Sequence, residues 1–293
     1  MSKKVTRRSF LKRMTFGTLG LIGLSYGGYY YAHEIEPKWL KIINSPISSN
    51  RIPEPFNGFK ILQFTDTHIG FHYSLKDFEK LIQYINKQSA DLVVFTGDLT
   101  DDPSNITSLE YDKIIELLSL IDAPYGKYWI FGNHDHGGYG TSMIQTVMKQ
   151  GGFSLLQNSS VKIPKDNAEF TLSGTDDVLL GSPNLSNLIQ DGEEDLFNVL
   201  LCHEPDYAEE AMKYPFDVQL SGHSHGGQIQ LPFIGYIVTP QLGTEYVEGS
   251  YTLGQNPLQL FVSRGIGTTR LPFRFFCRPE INVYTLKANT SSS

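Results

Sequence analysis

Thiolate is scarce in this chain, with two cysteines, Cys202 and Cys277, among 293 residues. That removes the strongest argument for a closed structural zinc, which is built on cysteine. Positive charge is not in excess either. Lys and Arg number 24 against 31 Asp and Glu, a net charge of -7. No basic patch dominates, so a nucleic-acid surface is not expected. A phosphate substrate is not excluded, because bound cations would set the local field and net charge is a screened term beside them. No internal repeat is present. The apolar fraction of 40% is ordinary for a chain that buries a sizeable core. The length leaves room for one large domain or two small ones.

Residues 1–32 read as an address. Thr6-Arg7-Arg8-Ser9-Phe10-Leu11-Lys12 has the form of a twin-arginine export signal, with Lys3, Lys4 and Arg13 adding to its basic region. The uncharged stretch 14–32 follows. Its glycines leave it only weakly hydrophobic, as that route tolerates. No small-x-small cleavage site is evident. The segment is therefore also a candidate anchor, near the lower length limit for a span. The expected location is extracytoplasmic, membrane-anchored or cell-wall-associated. The translocation machinery is the expected partner. The cysteines could pair outside the cell, but Cys202 lies in an apolar run, so buried, unpaired thiols are the preferred reading.

Residues 33–57, with their prolines, serines and weak periodicity, read as a linker. The domain is expected over 58–287. Its first half alternates strands at 59–64, 90–95 and 128–131 with helical spacing at 75–85, 109–121 and from 141 to a Gly151-Gly152 cap. That order predicts parallel strands with helices outside. A hairpin turning at Lys165-Asp166-Asn167 brings in antiparallel strands. Short buried strands follow at 197–201 and 216–220, with late strands at 258–263 and 281–286. Residues 288–293 are expected to be a disordered tail.

Five of these segments end in metal-binding residues: Asp66-Thr67-His68, Gly97-Asp98, Gly132-Asn133-His134-Asp135, Cys202-His203-Glu204 and Gly222-His223-Ser224-His225. Five of the eight histidines lie within them. A lone His is more often packed than ligating. An ordered series past strand ends, where ligands of such sheets gather, reverses that expectation. The imidazoles, carboxylates and one amide suffice for two neighbouring divalent cations, a donor set suited to phosphate-ester hydrolysis. His72 and His136 are candidates to line the pocket. Asp101 and Asp102 read as a solvated or helix-capping pair.

The ordered set resembles the calcineurin-like metallophosphoesterase superfamily over residues 59–286. Gly222-His223-Ser224-His225-Gly226-Gly227-Gln228 and Val262-Ser263-Arg264-Gly265-Ile266-Gly267 are similar to its twin-arginine-exported bacterial subgroup. The resemblance implies an α/β fold, a four-layer αββα sandwich with mixed sheets. It implies that Asp66, His68 and His225 hold one metal, that Asn133, His203 and His223 hold the other, and that Asp98 bridges them. His134 then faces substrate and Asp135 holds its imidazole. The metals are expected to be Mn first, with Fe, Zn or Co as alternatives. A bridging hydroxide would attack phosphorus in a mono- or diester. Some family members place an arginine immediately around the third motif, where this chain has His136-Gly137-Gly138. Phosphate contacts are therefore sought among Arg264, Arg270, Arg274 and Arg278.

A pyrophosphatase acting on lipid-linked or nucleotide-sugar diphosphates at a membrane is the alternative within enzymes. The aromatic segment Leu271-Pro272-Phe273-Arg274-Phe275-Phe276 bears on it, though such residues are more often core. A non-catalytic metal-binding scaffold would be expected to lack ligands or His134, and this chain has them all.

Overall fold

The computed structural model describes residues 7–136, 141–189 and 192–289. Apolar runs too short for helices and too continuous for half-exposed strands form its central layers. β1 (Lys41–Ser49), β2 (Lys60–Phe64), β3 (Leu92–Phe95), β4 (Lys127–Trp129) and β5 (Ser154–Leu155) join the last strand, Glu280–Ala288, in a six-stranded sheet. A second six-stranded sheet contains β6 (Ser159–Lys165), β7 (Ala168–Gly174), β8 (Asn198–Leu201), β9 (Val218–Ser221), β12 (Gly249–Leu253) and β13 (Leu258–Val262). β10 (Gln230–Leu231) and β11 (Gly235–Tyr236) form a small separate hairpin.

Both sheets are mixed. The strand at Glu280–Ala288, β14, runs parallel to β1 and antiparallel to β2, while β2 through β5 are parallel. In the second sheet β7, β8, β9 and β13 are parallel, and β6 and β12 add as antiparallel edges.

Alternation along β2 explains the layering. Ile61 points into the space between the sheets with Leu92, Val94, Phe170, Leu172, Val199 and Leu220. Leu62 and Phe64 point the other way, against Phe78, Leu81 and Ile85 of α2 (Leu75–Asn86) and neighbours in α3 (Ser108–Ser119) and α4 (Thr141–Gln150). Each fully buried Leu or Phe contributes about 1.5–3 kcal/mol. Burial on both faces accounts for the unbroken apolar runs. The outer face of the second sheet is covered thinly, by loops and α5 (Ala208–Ala211), around Leu200, Leu260, Ala208 and Ala211.

Helix ends follow local chemistry. The Ser74 hydroxyl accepts the Asp77 N–H, and Thr107 and Glu110 form a capping box. α4 closes with Gly152 at φ +84 and with Phe153 N–H bonded to Met148 O, the left-handed close that glycine permits.

Two expectations need correction. Residues 33–57 are not merely a linker, since β1 pairs with β14 along its whole length. An edge strand with only Ile47 fully buried and with Pro46 in mid-run has no clear period, which is why its pattern is hard to read. The preceding turn is also docked, because the buried Glu36 carboxylate accepts the Phe276 and Cys277 N–H groups. In the expected tail, Ala288 belongs to β14 and Asn289 N–H bonds Ser49 O, while 290–293 lie outside the described residues.

α1 (Arg7–Tyr30) covers most of the address segment, and Lys3, Lys4 and Thr6 lie outside the described residues. Among the described residues no helix is long and apolar enough to cross a membrane. Both cysteines are buried and unpaired.

Candidate metal centre

The parallel strands of both sheets end at one place. Asp66 and His68 follow β2, Asp98 follows β3, Asn133 and His134 follow β4, His203 follows β8, and His223 and His225 follow β9. Five of these residues have left-handed backbone: Asp66, His68, Asp98, His223 and His225, with φ between 43 and 68. Non-glycine residues adopt that region at a cost of about 1–3 kcal/mol each when strained, and such positions cluster at functional sites. The turns are set by close packing. A Cβ on Gly132 would lie 2.3 Å from Asp98 Oδ1, and one on Gly222 would lie 2.3 Å from Asp66 Oδ2. Beneath them the buried Gln63 amide bonds Thr96 Oγ1 and Ser221 O, linking β2 to β9 across the two sheets.

The side chains converge. Asp66, His68 and His225 offer ligand atoms within 4.8 Å of one another, and so do Asp66, Asp98 and His203. His68 Nε2 lies 3.0 Å from His225 Nε2 and 3.5 Å from Asp98 Oδ2. His203 Nε2 lies 3.3 Å from Asp98 Oδ2, so Asp98 stands between both groups. The His223 ring centroid is 5.0 Å from that of His203. Asn133, His134, His223, His225 and Asp98 line one cavity of about 470 Å³, and Asp66, His68 and His203 are buried beneath it.

These residues fit a pair of divalent cations. Asn133 Oδ1 and His203 Nε2 are buried without a hydrogen-bond partner, a costly state unless something is bound there. Carbonyl braces fix the tautomers. His203 Nδ1–H donates to Thr96 O at 2.6 Å, leaving the Nε2 lone pair toward Asp98. His223 Nε2–H donates to Gln241 O at 2.8 Å, leaving the Nδ1 lone pair free. Charge is concentrated as well. Burial opposes ionisation of Asp98, but His203, His134 and His68 outweigh it and hold the carboxyl well below its usual range. Burial first, and then the neighbouring His203, push the His223 imidazole down to about 4.

Asp135 does not hold the His134 ring. Its buried carboxylate accepts the backbone N–H groups of Asp98, Leu99 and Gly132 and so ties two ligand loops together. The His134 ring rests instead on the Asp101 carbonyl, with Nδ1–O at 2.6 Å, and His134 N–H donates to Asp98 Oδ1. Asp101 is likewise no cap, and it is only partly solvated. Its carboxylate lies 3.1 Å from His68 Nδ1 and accepts Thr269 Oγ1–H. Its place three residues after Asp98, inside a ligand loop, was the available clue. Asp102 does cap a short turn, accepting Ser104 N–H.

The arginines divide. Arg274 is fully buried, donates to the carbonyls of Arg264, Gly267 and Cys277 and does not line the cavity, so it braces the loop below His225. Arg264 pairs with Glu248 at 2.7 Å, and Arg278 lies over the Trp39 ring and bonds Trp39 O. Arg270 alone of the four lines the cavity. His72 bonds His33 O and His136 pairs with Asp176, so neither lines it. Gly137-Gly138 lies outside the described residues.

Residues 59–227 match the calcineurin-like phosphoesterase family. The chain is 44% identical over 288 residues to the uncharacterized metallophosphoesterase YkuE of Bacillus subtilis, covering 98% of this chain and 99% of that one. It is 30% identical over 292 residues to the phosphodiesterase YaeI of Escherichia coli, covering 96% and 99%. Among solved structures, a dimetal phosphatase from Danio rerio aligns with a TM-score of 0.44 at 11% identity, covering 72% of this chain and 88% of that one.

Proposed function

Because the chain belongs to the calcineurin-like phosphoesterase family and is a metal-dependent phosphoric ester hydrolase, we propose that it is an exported enzyme cleaving phosphate mono- or diesters. The observation that carries this reading is the convergence of two carboxylates, an amide oxygen and four imidazoles from both sheets on Asp98. Asp66, His68 and His225 would hold one cation, Asn133, His203 and His223 the other, and Asp98 both. When bound, the cations supply Lewis acidity at phosphorus and lower the pKa of coordinated water toward ~7. Mn leads among the metals these donors suit, with Fe, Zn and Co next.

The chain's own residues supply the rest. With Nδ1–H committed to the Asp101 carbonyl, protonated His134 has Nε2–H left to give. Burial opposes its protonation, but Asp98 and the Asp101 carbonyl outweigh it and raise its pKa. A half-exposed imidazole on the cavity wall is suited to protonating the leaving oxygen. Arg270, in the cavity lining, would pair with a phosphoryl oxygen. Asn133 contributes an oxygen without charge, which keeps the site electropositive toward an anionic substrate.

Export by the twin-arginine route rests on Arg7-Arg8 and the glycine-rich helix after them. Membrane or cell-wall association goes with it, through the four basic residues Arg7, Arg8, Lys12 and Arg13 and the exposed apolar side chains of α1. Release of the protein from walls or membranes by high salt tests that part.

The name of the E. coli relative supports a diester. A second reading, a pyrophosphatase on lipid-linked or nucleotide-sugar diphosphates, is favoured by the apolar residues in the cavity wall. A substrate panel on metal-reconstituted protein separates them. Turnover of simple esters supports the main reading. Turnover of diphosphates alone would replace it with the second, and turnover of none would end both.

A further inference from the structure

The cavity above the metal centre has two unlike ends. One is the ligand cluster with His134. The other is made of Leu179, Ile229, Ile237, Val238, Pro240 and Leu271. Among the described residues, apart from the ligand cluster and His134, Arg270 is the one charged side chain in the lining.

Three polar side chains of the lining, those of Gln228, Ser224 and Thr269, are occupied by the protein itself. The Gln228 amide bonds the Thr269 backbone at both its ends, with Nε2 on the carbonyl and Oε1 on the N–H. Ser224 Oγ–H donates to Val247 O, and Thr269 Oγ1–H to Asp101. A base or sugar placed against the six apolar side chains would bury donors and acceptors without partners, which is unfavourable. A hydrocarbon chain would lose nothing.

The apolar surface continues outward from the mouth. Ile237, Val238 and Leu271 are 56%, 65% and 52% exposed, and the adjoining hairpin carries Phe233 and Ile234 at its tip, both fully or largely exposed. Contiguous exposed apolar groups beside a pocket mark a ligand site.

We propose that this wall is a specificity subsite for an aliphatic chain, and that the preferred substrates are phosphate esters in which one ester group is an alkyl or acyl-bearing chain. The inference rests on the phosphoesterase reading and adds the identity of the organic group. Ile237, Val238 and Leu271 are the specificity-determining residues. Arg270 stands where the polar phosphoryl end meets the apolar wall.

The test is a series of p-nitrophenyl alkyl phosphates from methyl to octyl, each below its micelle concentration, with metal-reconstituted full-length protein. A methylene fully covered by the wall raises kcat/KM by about fourfold. An open groove gives less per methylene, so at least tenfold is expected from methyl to octyl, as an order of magnitude. Ile237→Ser with Val238→Ser, and separately Leu271→Ser, should shrink the octyl-to-methyl ratio several-fold. Circular dichroism and metal content report folding in each variant. A flat or falling series in the wild type, with the methyl ester still turned over, overturns the subsite and leaves the phosphoesterase reading standing. A ratio unchanged in both variants also overturns it. No turnover of any ester by metal-loaded protein overturns the reading beneath it.

Discussion

On one flank of Asp98 the imidazole of His68 rests on a carboxylate, that of Asp101 at 3.1 Å. On the other flank, His203 and His223 rest on backbone carbonyls, those of Thr96 and Gln241. A carboxylate raises the basicity of the imidazole it braces and can be lost by a single substitution. A carbonyl brace is a property of where the chain runs, so no side-chain change removes it directly. The two cation positions should therefore differ in how easily they are weakened. His225 is the outlier, because the contact of its Nδ1 is Arg274 Nη2 at 3.5 Å, and a guanidinium can only donate.

Asp98→Ala removes the residue shared by the two flanks and should have the largest effect. Elemental analysis should find both cations lost, with activity down by ~10³-fold or more, as expected when several kcal/mol of charge stabilisation goes. A variant that stays fully loaded contradicts the bridging role. His134→Ala should spare both flanks. Metal content is retained while turnover of alkyl-leaving-group esters falls by ~10²–10⁴-fold. Nitrophenolate, a better leaving group, should suffer less. Parallel losses of metal and activity would make His134 a ligand.

Asp101→Asn is the direct test of the asymmetry. Metal titration should show one of two binding steps weakened by ~10–100-fold and the other little changed. Equal weakening of both steps would mean that Asp101 braces the loop as a whole.

The smallest effect is a control remote from either flank. Burial raises the Asp77 carboxyl, but hydrogen bonds from Ser74 and Lys80 outweigh it and leave its pKa below the ordinary value. The stability it adds is present above the unfolded pKa of ~3.9 and is lost as pH falls through the lower folded value. Asp77→Asn should cost about 0.5 kcal/mol at pH 7. Melting temperatures of variant and wild type should converge in acid. A gap that persists at pH 2 would place the effect in something other than charge.

Most of the fold is legible because buried parallel strands and amphipathic helices carry distinct periods, as at Ile61-Leu62 and at Phe78-Leu81-Ile82-Ile85. β1 is not, because an edge strand gains its order from β14 more than from its own residues. The same division runs through the site. Asp66, His68, Asp98, Asn133, His203, His223 and His225 are visible as short motifs past strand ends, and all are brought to one centre. The work of Asp101 and Asp135 is not visible. Adjacency in sequence pairs Asp135 with His134, whereas its carboxylate faces three backbone N–H groups.

The order of the residues along the chain determined which donors exist and that they follow strands, since composition and period are local quantities. Which carbonyl braces which imidazole, which of four arginines reaches the cavity, and that an apolar wall from residues 179, 229, 237–238 and 271 stands beside the metal ligands were decided only in three dimensions. Those are relations between segments far apart in the chain, set by how two sheets pack, and nothing in any one segment encodes them.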